Sequence, residues 1–228
     1  MESVLLVDRS VKTLRERALD KVRDAIVSRR FAPGERLVER SLCEQLGVSR
    51  SVVREVLRYL EAEGLVTTVG QRGPAVARLT IEETAQVYEI RRALESLAVR
   101  ACARAGRASI AKRLDSLLSD VRAAYTRKSH ADVIATAGAF YQALFEEADK
   151  KVAWTIISSL HHRINHLRAL TIKTPRRPVE GPAQLQKIVD AIRSGDEDAA
   201  CRACFDHIDR AATLALQILR DEARSAAS

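Results

Sequence analysis

Glycine is scarce in this chain, 9 of 228 residues, and neither a G-x-x-x-x-G-K nor a G-x-G-x-x-G run occurs. Loops that cradle nucleotide phosphates in backbone N–H groups are thereby excluded. Cysteine is sparser still. The four, Cys43, Cys102, Cys201 and Cys204, sit in helical, apolar contexts that suit small buried thiols of a reduced compartment rather than a disulfide framework. No apolar stretch approaches the roughly 20 residues that a membrane-spanning helix requires. Met1 to Arg9 is too short and too interrupted by acid to be a secretion signal, so a cytoplasmic protein with no membrane partner is expected. A G-x-S-x-G elbow and an H-E-x-x-H pair are lacking too, and no Ser/His/Asp combination has a local context that would make a nucleophile. The sequence therefore offers no catalytic set.

The composition, 46% hydrophobic and 30% charged, is that of a packed protein. An excess of 38 basic over 30 acidic residues gives +8, which favours a polyanionic partner. Charge alone does not place that partner: up to Thr80 there are 15 basic and 11 acidic residues, and beyond it 23 and 19, so each part carries +4.

Pattern does place it. Leu19, Val22 and Ile26 recur at helical spacing over residues 13–29, and Pro33 with Gly34 breaks that helix. Leu42 and Leu46 mark a short second helix that Gly47 is placed to end as a left-handed cap. Ser49 is a good N-cap for a third helix, with Val53, Val56, Leu57 and Leu60 on its inner face and Gly64 as its stop. The period then turns extended over 65–69 and 75–79, around a hairpin at 70–74 with a basic tip. Three short helices followed by a hairpin are the layout of a winged helix-turn-helix, whose third helix enters the major groove of double-stranded DNA.

Arg50, Arg54 and Arg58, at i, i+4 and i+8, line the face of helix three opposite its apolar residues. Ser49 and Ser51 at its first turn can take a phosphate, and arginine suits both guanine edges and phosphates. Arg40, at the start of helix two, is placed to cross the DNA backbone, and Arg72 on the hairpin tip to reach a minor groove. Three arginines on a helix face are also what a solvated surface looks like. Their order beside a Gly-Val-Ser turn and a basic wing favours DNA.

The run Pro33 to Leu37, Glu44 to Arg50, Val53 to Leu57 and Leu60 to Leu65, ending in Arg72 and Gly73, resembles the DNA-binding domain of GntR-family bacterial transcriptional regulators. The resemblance implies that Arg40, Arg50 and Arg54 contact DNA and that Gly73 lies at the minor groove. Two positions depart from the family pattern: Val38 stands where a hydroxyl N-cap is usual, and Ser51-Val52 replaces Thr-Pro.

Beyond Ile81 the signal is helical only, with breaks near Gly106, Ser129, Asp149, 174–182 and Gly195, which predicts six helices. The fold class is thus mainly α, with a winged helix-turn-helix over 1–79 and an all-α bundle over 80–228. Glu89 to Glu95, Phe140 to Leu144, Lys187 to Asp196 and Phe205 to Ile208 resemble the all-helical FCD effector domain of the family's FadR-type branch, and six helices point to its VanR-like subgroup.

Many such domains hold a divalent metal. The resemblance carries its ligand positions to Ala137, Tyr141, Leu185 and His207, of which only His207 is a ligand, so no metal and no other cofactor is expected. Two other clusters leave alternatives open. His162 and His166 at i, i+4 are either ligands or a polar pocket face, and Cys201 to His207 (C-x-x-C-x-x-H) are either soft ligands or helix packing. With Arg91 and Tyr141, the histidines His162, His166 and His207 are the candidate effector-binding residues. Either a pocket persists there, binding through hydrogen bonds and an arginine-carboxylate pair, or Tyr141 and Leu185 plug it. The expected protein is a homodimeric, ligand-responsive repressor that binds an inverted-repeat operator and answers to a small organic acid or similar metabolite. The alternative is a helical interaction protein whose winged helix binds nucleic acid without sequence preference. A third reading, with little behind it, has the bundle acting chemically on a small acid.

Overall fold

The computed structural model describes residues 13–227 apart from 69, 71 and 72, and omits the side chains of 162, 226 and 227. The chain divides into two compact units, Met1–Arg78 and Leu79–Ser228.

The first unit contains α1 (Leu14–Val27), α2 (Glu39–Leu46), α3 (Arg50–Ala62), β1 (Val66–Thr68) and β2 (Pro74–Val76). Its core is the apolar stripes that periodicity marks: Val22 and Ile26 of α1, Leu42 of α2, and Val53, Val56, Leu57 and Leu60 of α3. Thr13 and Glu16 close a reciprocal capping box on α1. The turn between α2 and α3 is set by Gly47, whose φ of +65° an L side chain rarely adopts, and by Ser49, whose hydroxyl accepts from the Val52 N–H. β1 and β2 pair antiparallel, Val66 opposite Val76 and Thr68 opposite Pro74. Both strands are shorter than the extended patterns over 65–69 and 75–79 suggest.

The far edge of β2 is taken by the segment after α1. Gly34 N–H donates to Val76 O, Leu37 N–H to Pro74 O, and Val76 N–H to Glu35 O. Pro33 to Leu37 thus both ends α1 and buttresses the wing.

Val38 occupies the N-cap of α2 with no side-chain bond to the first turn. Val38→Ser supplies the missing acceptor and is expected to raise the stability of this unit by about 1 kcal/mol. A chemical denaturation midpoint that fails to rise would show that the turn is capped by other means.

The second unit is a bundle of α4 (Ile81–Ala105), α5 (Ala108–Thr126), α6 (His130–Glu147), α7 (Lys151–Ser159), α8 (His161–Thr171), α9 (Arg177–Ser194) and α10 (Glu197–Ala227). α10 packs along α4 and α9, and α5 along α6 and α9. Phe140, Phe145, Leu114, Leu118, Leu144 and Ile188 form its fully buried centre.

Among the described residues of this unit seven helices stand where six are expected, because residues 150–173 divide at Leu160, so the helix count does not support the VanR-like subgroup. No glycine or proline marks that break. Ser158 and Ser159 turn their hydroxyls back onto the carbonyls of Thr155 and Ile156, at 3.0 and 2.6 Å, and such back-bonding bends helices. The break expected over 174–182 is present only up to Arg176. α9 begins inside it, with Pro178 in the first turn, where its missing N–H costs nothing. Pro182 sits within the helix, where it forfeits one bond near the N-terminus.

Candidate nucleic-acid interface and bundle cavity

α3 leaves Arg50, Arg54 and Arg58 exposed in a row that runs beside its buried stripe of Val53, Val56, Leu57 and Leu60. At its start the Ser49 and Ser51 hydroxyls lie 2.8 Å apart, both exposed. Gly73, at the foot of β2, has φ +78° and open space where a Cβ would point. Its backbone conformation, rather than crowding, is what calls for glycine. Arg72 lies outside the described residues.

Two of the arginines are held by acids in the free chain. The Arg54 Nε donates to both Glu39 carboxylate oxygens, at 3.1 and 3.0 Å, and the Arg40 Nε donates to Glu44 at 3.1 Å. Glu39 was not among the residues that the helical pattern singles out. It was legible as the first residue of α2, next to a turn that brings α2 against α3.

In the bundle, a polar cluster crosses the core. Arg91 and Glu95 of α4 are both buried and joined by a bond of 2.7 Å from Arg91 Nε. Burial by itself opposes the charge on Arg91, but the Glu95 carboxylate outweighs it and the net shift is upward. The Tyr141 ring lies between Arg91, 5.4 Å from its centroid, and Arg168 of α8, 5.7 Å from it. Burial, followed by the Glu95 charge, pushes the Tyr141 hydroxyl above its ordinary range, and that hydroxyl has no hydrogen-bond partner.

Beside this cluster a small cavity of about 30 Å³ opens between α5, α6, α8, α9 and α10. Arg168, Arg177, Tyr125 and His207 are its polar walls, and Ala137 and Leu185 are among the apolar ones. The sequence-derived effector residues distribute unevenly around it. His207 is on the wall. Tyr141 touches it only through the His207 ring, with centroids 6.4 Å apart. Arg91 is engaged by Glu95, and neither Arg91 nor His166, buried on α8, is among the cavity walls. His162 lies on α8 with its side chain outside the described set.

Three of the four positions to which the family's metal ligands transfer, Ala137, Leu185 and His207, meet at this cavity. The donors there do not fit a divalent cation: one imidazole is accompanied by two guanidinium groups that repel it. Among the described residues no three His, Cys, Asp or Glu are gathered where one ion could be held. The cysteines are packing groups of the bundle: Cys102, Cys201 and Cys204 are all buried, and burial pushes the Cys204 thiol well above its ordinary value and the Cys102 thiol up to about 12.

His207 is neutral at physiological pH. Burial, then the charges of Arg177, Arg91 and Arg168, hold its pKa well below 6.5. Gln184 Oε1 accepts from Arg177 Nη1 at 3.1 Å and lies 3.3 Å from His207 Nδ1. An oxygen already facing a guanidinium is an acceptor, so Nδ1 carries the ring proton and Nε2 the lone pair.

A pH dependence follows from the depressed value. Below about 6.5 the unfolded chain binds a proton at this residue that the folded chain refuses. Stability is therefore full above that pH and falls as the solution is acidified, by up to about 1.4 kcal/mol per pH unit. His207→Asn is expected to remove that part of the slope between pH 5 and 6.5. Coincident stability–pH curves for parent and variant would mean that His207 titrates normally.

Both units match known domain families. Residues 14–76 match the model for bacterial regulatory proteins of the gntR family, and residues 86–210 match the FCD domain. The chain is 28% identical over 200 residues to the HTH-type transcriptional repressor RspR of Escherichia coli K12, covering 88% of each. It is 30% identical over 195 residues to the Nta operon transcriptional regulator of Aminobacter aminovorans, covering 85% of this chain and 90% of that one. Among solved structures, a GntR protein from Rhodococcus sp. RHA1 aligns with a TM-score of 0.74 at 25% identity, covering 89% of this chain and 97% of the other. E. coli McbR/YncC shares the fold, with a TM-score of 0.71 at 18% identity over 91% of this chain and 99% of that one. With an exposed arginine face on the helix that follows its Gly-Val-Ser turn, and with both models matched in order along its length, the chain belongs to the GntR family of bacterial transcriptional regulators, in the group whose second domain is an FCD domain.

Proposed function

We propose that this regulator is a cytoplasmic repressor that binds a short inverted-repeat operator as a homodimer and releases it when the bundle binds a small organic acid. The observation that carries the DNA part is the exposed row of Arg50, Arg54 and Arg58 on α3, started by the Ser49 cap and flanked by Arg40. Such a helix offers bidentate donors to base edges and charge to phosphates at once. The repressor assignment is supported by the likeness to RspR, which is named a repressor.

Dimerisation is supported by α4, where the apolar Ile90 and Leu97 stand 38% and 51% exposed, two turns apart, on the solvent-facing side of the helix. Paired readers on a two-fold axis match a palindromic site. The effector reading is supported by the cavity, which gathers polar side chains from four helices inside an apolar bundle.

A footprint on the DNA upstream of the chain's own gene and its neighbours tests this reading. A discrete protected palindrome supports it. Uniform protection at all sequences would favour the non-specific nucleic-acid binder instead, and sedimentation at micromolar concentration showing only a 25 kDa species would remove the dimer.

A further inference from the structure

Among the described residues, neither Arg168 nor Arg177 has a carboxylate within ion-pair distance. Arg177 is 7% exposed and its hydrogen bond goes to the neutral Gln184. Arg168 donates to the neutral Asn165 at 2.9 Å. The nearby acids are spoken for: Glu95 holds Arg91, and Glu180 on the first turn of α9 is held by Arg176 and Arg210 at 3.0 and 3.1 Å. No carboxylate is among the cavity walls. Folded proteins pair their buried charges, so two guanidinium groups facing one cavity with neutral partners call for an anion. Tyr125 stands beside them: a Cβ built on Gly181 would lie 3.5 Å from Arg177 Nε and 3.7 Å from the Tyr125 hydroxyl.

From this we infer that the bundle cavity is a metal-free carboxylate site, in which Arg168 and Arg177, with the Tyr125 hydroxyl, hold the ligand's carboxylate directly, and that the ligand is a short, apolar monocarboxylic acid. Charge sets the first half. A cation-bridged acid would need ligands where this chain has Ala137 and Leu185, whereas a guanidinium pair binds a carboxylate by charge-assisted hydrogen bonds without any bridge. The walls set the second half. Apart from the cationic end and His207, they are Val121, Val133, Ala137, Ile172, Pro182 and Leu185, which offer nothing to a hydroxylated chain or a second carboxylate. A sugar acid or a tricarboxylate would bury polar groups without partners. A cavity of about 30 Å³ is small, which favours a short acid over a long one.

This rests on the reading of the bundle as the effector domain, and the test separates the two. Full-length protein treated with EDTA is titrated calorimetrically with linear monocarboxylates of one to six carbons and with benzoate. The matching amides, gluconate and citrate are the comparison, and operator release is followed in parallel by gel shift. The expected result is saturable binding of at least one monocarboxylate, unaltered by EDTA, with its amide and the hydroxylated acids at least tenfold weaker. Arg177→Gln and Arg168→Gln should each weaken it at least tenfold. Arg168 is the less buried of the two, so its variant stands in if Arg177→Gln does not fold.

Binding that needs added zinc, nickel or manganese, or that survives both substitutions, overturns the direct arginine site while leaving the effector reading intact. Equal binding of acid and amide, or preference for gluconate or citrate, overturns the ligand class. If no acid binds and operator affinity never moves, both readings fall.

Discussion

Glu95→Ala should destabilise the bundle by about 3–5 kcal/mol, the cost of removing one partner from a buried ion pair. The residue is 2% exposed and its partner Arg91 is 5% exposed, with 2.7 Å between Nε and Oε1. Both side chains lie away from bulk water, so losing the carboxylate leaves the guanidinium without its charged partner. Arg91 would then share the interior with Arg168 and Arg177, and three like charges would face one another across Tyr141 and His207. For a unit of this size each kcal/mol lowers the midpoint by roughly 2–4 °C, so a drop on the order of 10 °C is expected in the bundle's transition. The double variant Arg91→Met with Glu95→Met should recover most of it, because removing both charges leaves neither stranded. Thermal unfolding followed by circular dichroism decides. A single variant within 1 kcal/mol of the parent would mean that Arg91 reaches solvent and that the pair is ornamental to stability.

That pair was half legible. Thr84, Val87, Tyr88, Arg91, Glu95, Ala98, Val99 and Cys102 recur at three- and four-residue steps, so the buried stripe of α4 runs through two charged residues. A helix that puts opposite charges at i and i+4 on its apolar face announces an internal ion pair. Reading Arg91 alone as a ligand contact overlooked its neighbour one turn on. Arg168 and Arg177 gave no such sign. They sit on different helices and meet only through tertiary packing, and Arg177 falls in a proline-rich stretch that looks like a linker until Pro178 is seen to start α9.

The DNA-binding unit was legible for the converse reason. Its signals are local: a left-handed glycine, a serine cap, and apolar and basic residues in separate rows of one 13-residue helix. What local pattern cannot carry is backbone pairing between distant segments. The Pro33 to Leu37 segment has the composition of a turn, yet it hydrogen-bonds along β2 and holds the wing. Those contacts use only N–H and C=O groups, which every residue has, so no side-chain pattern reports them.

Arg54→Ala is expected to weaken operator binding by roughly 1–3 kcal/mol, about 5- to 150-fold, with little change in folding. Its side chain is 62% exposed and carries no core contact, so the loss would lie in the complex. The salt dependence says which contact is lost. If Arg54 meets a phosphate, the slope of log affinity against log salt falls by about one; if it meets a base edge, the slope holds and discrimination at one position relaxes. Glu39 makes the prediction sharper. It holds Arg54 at 3.0 Å in the free chain and adds a negative charge to the surface that must approach phosphates. Glu39→Gln should therefore tighten binding to any duplex, and more at low salt than at high. If Glu39 instead orients Arg54 for its base, Glu39→Gln would tighten random DNA while weakening the operator, narrowing the ratio between them. Gel-shift titrations of both variants against operator and scrambled duplex, at two salt concentrations, separate these outcomes. Parent-like operator affinity for Arg54→Ala at both salts would take this face of α3 out of the groove.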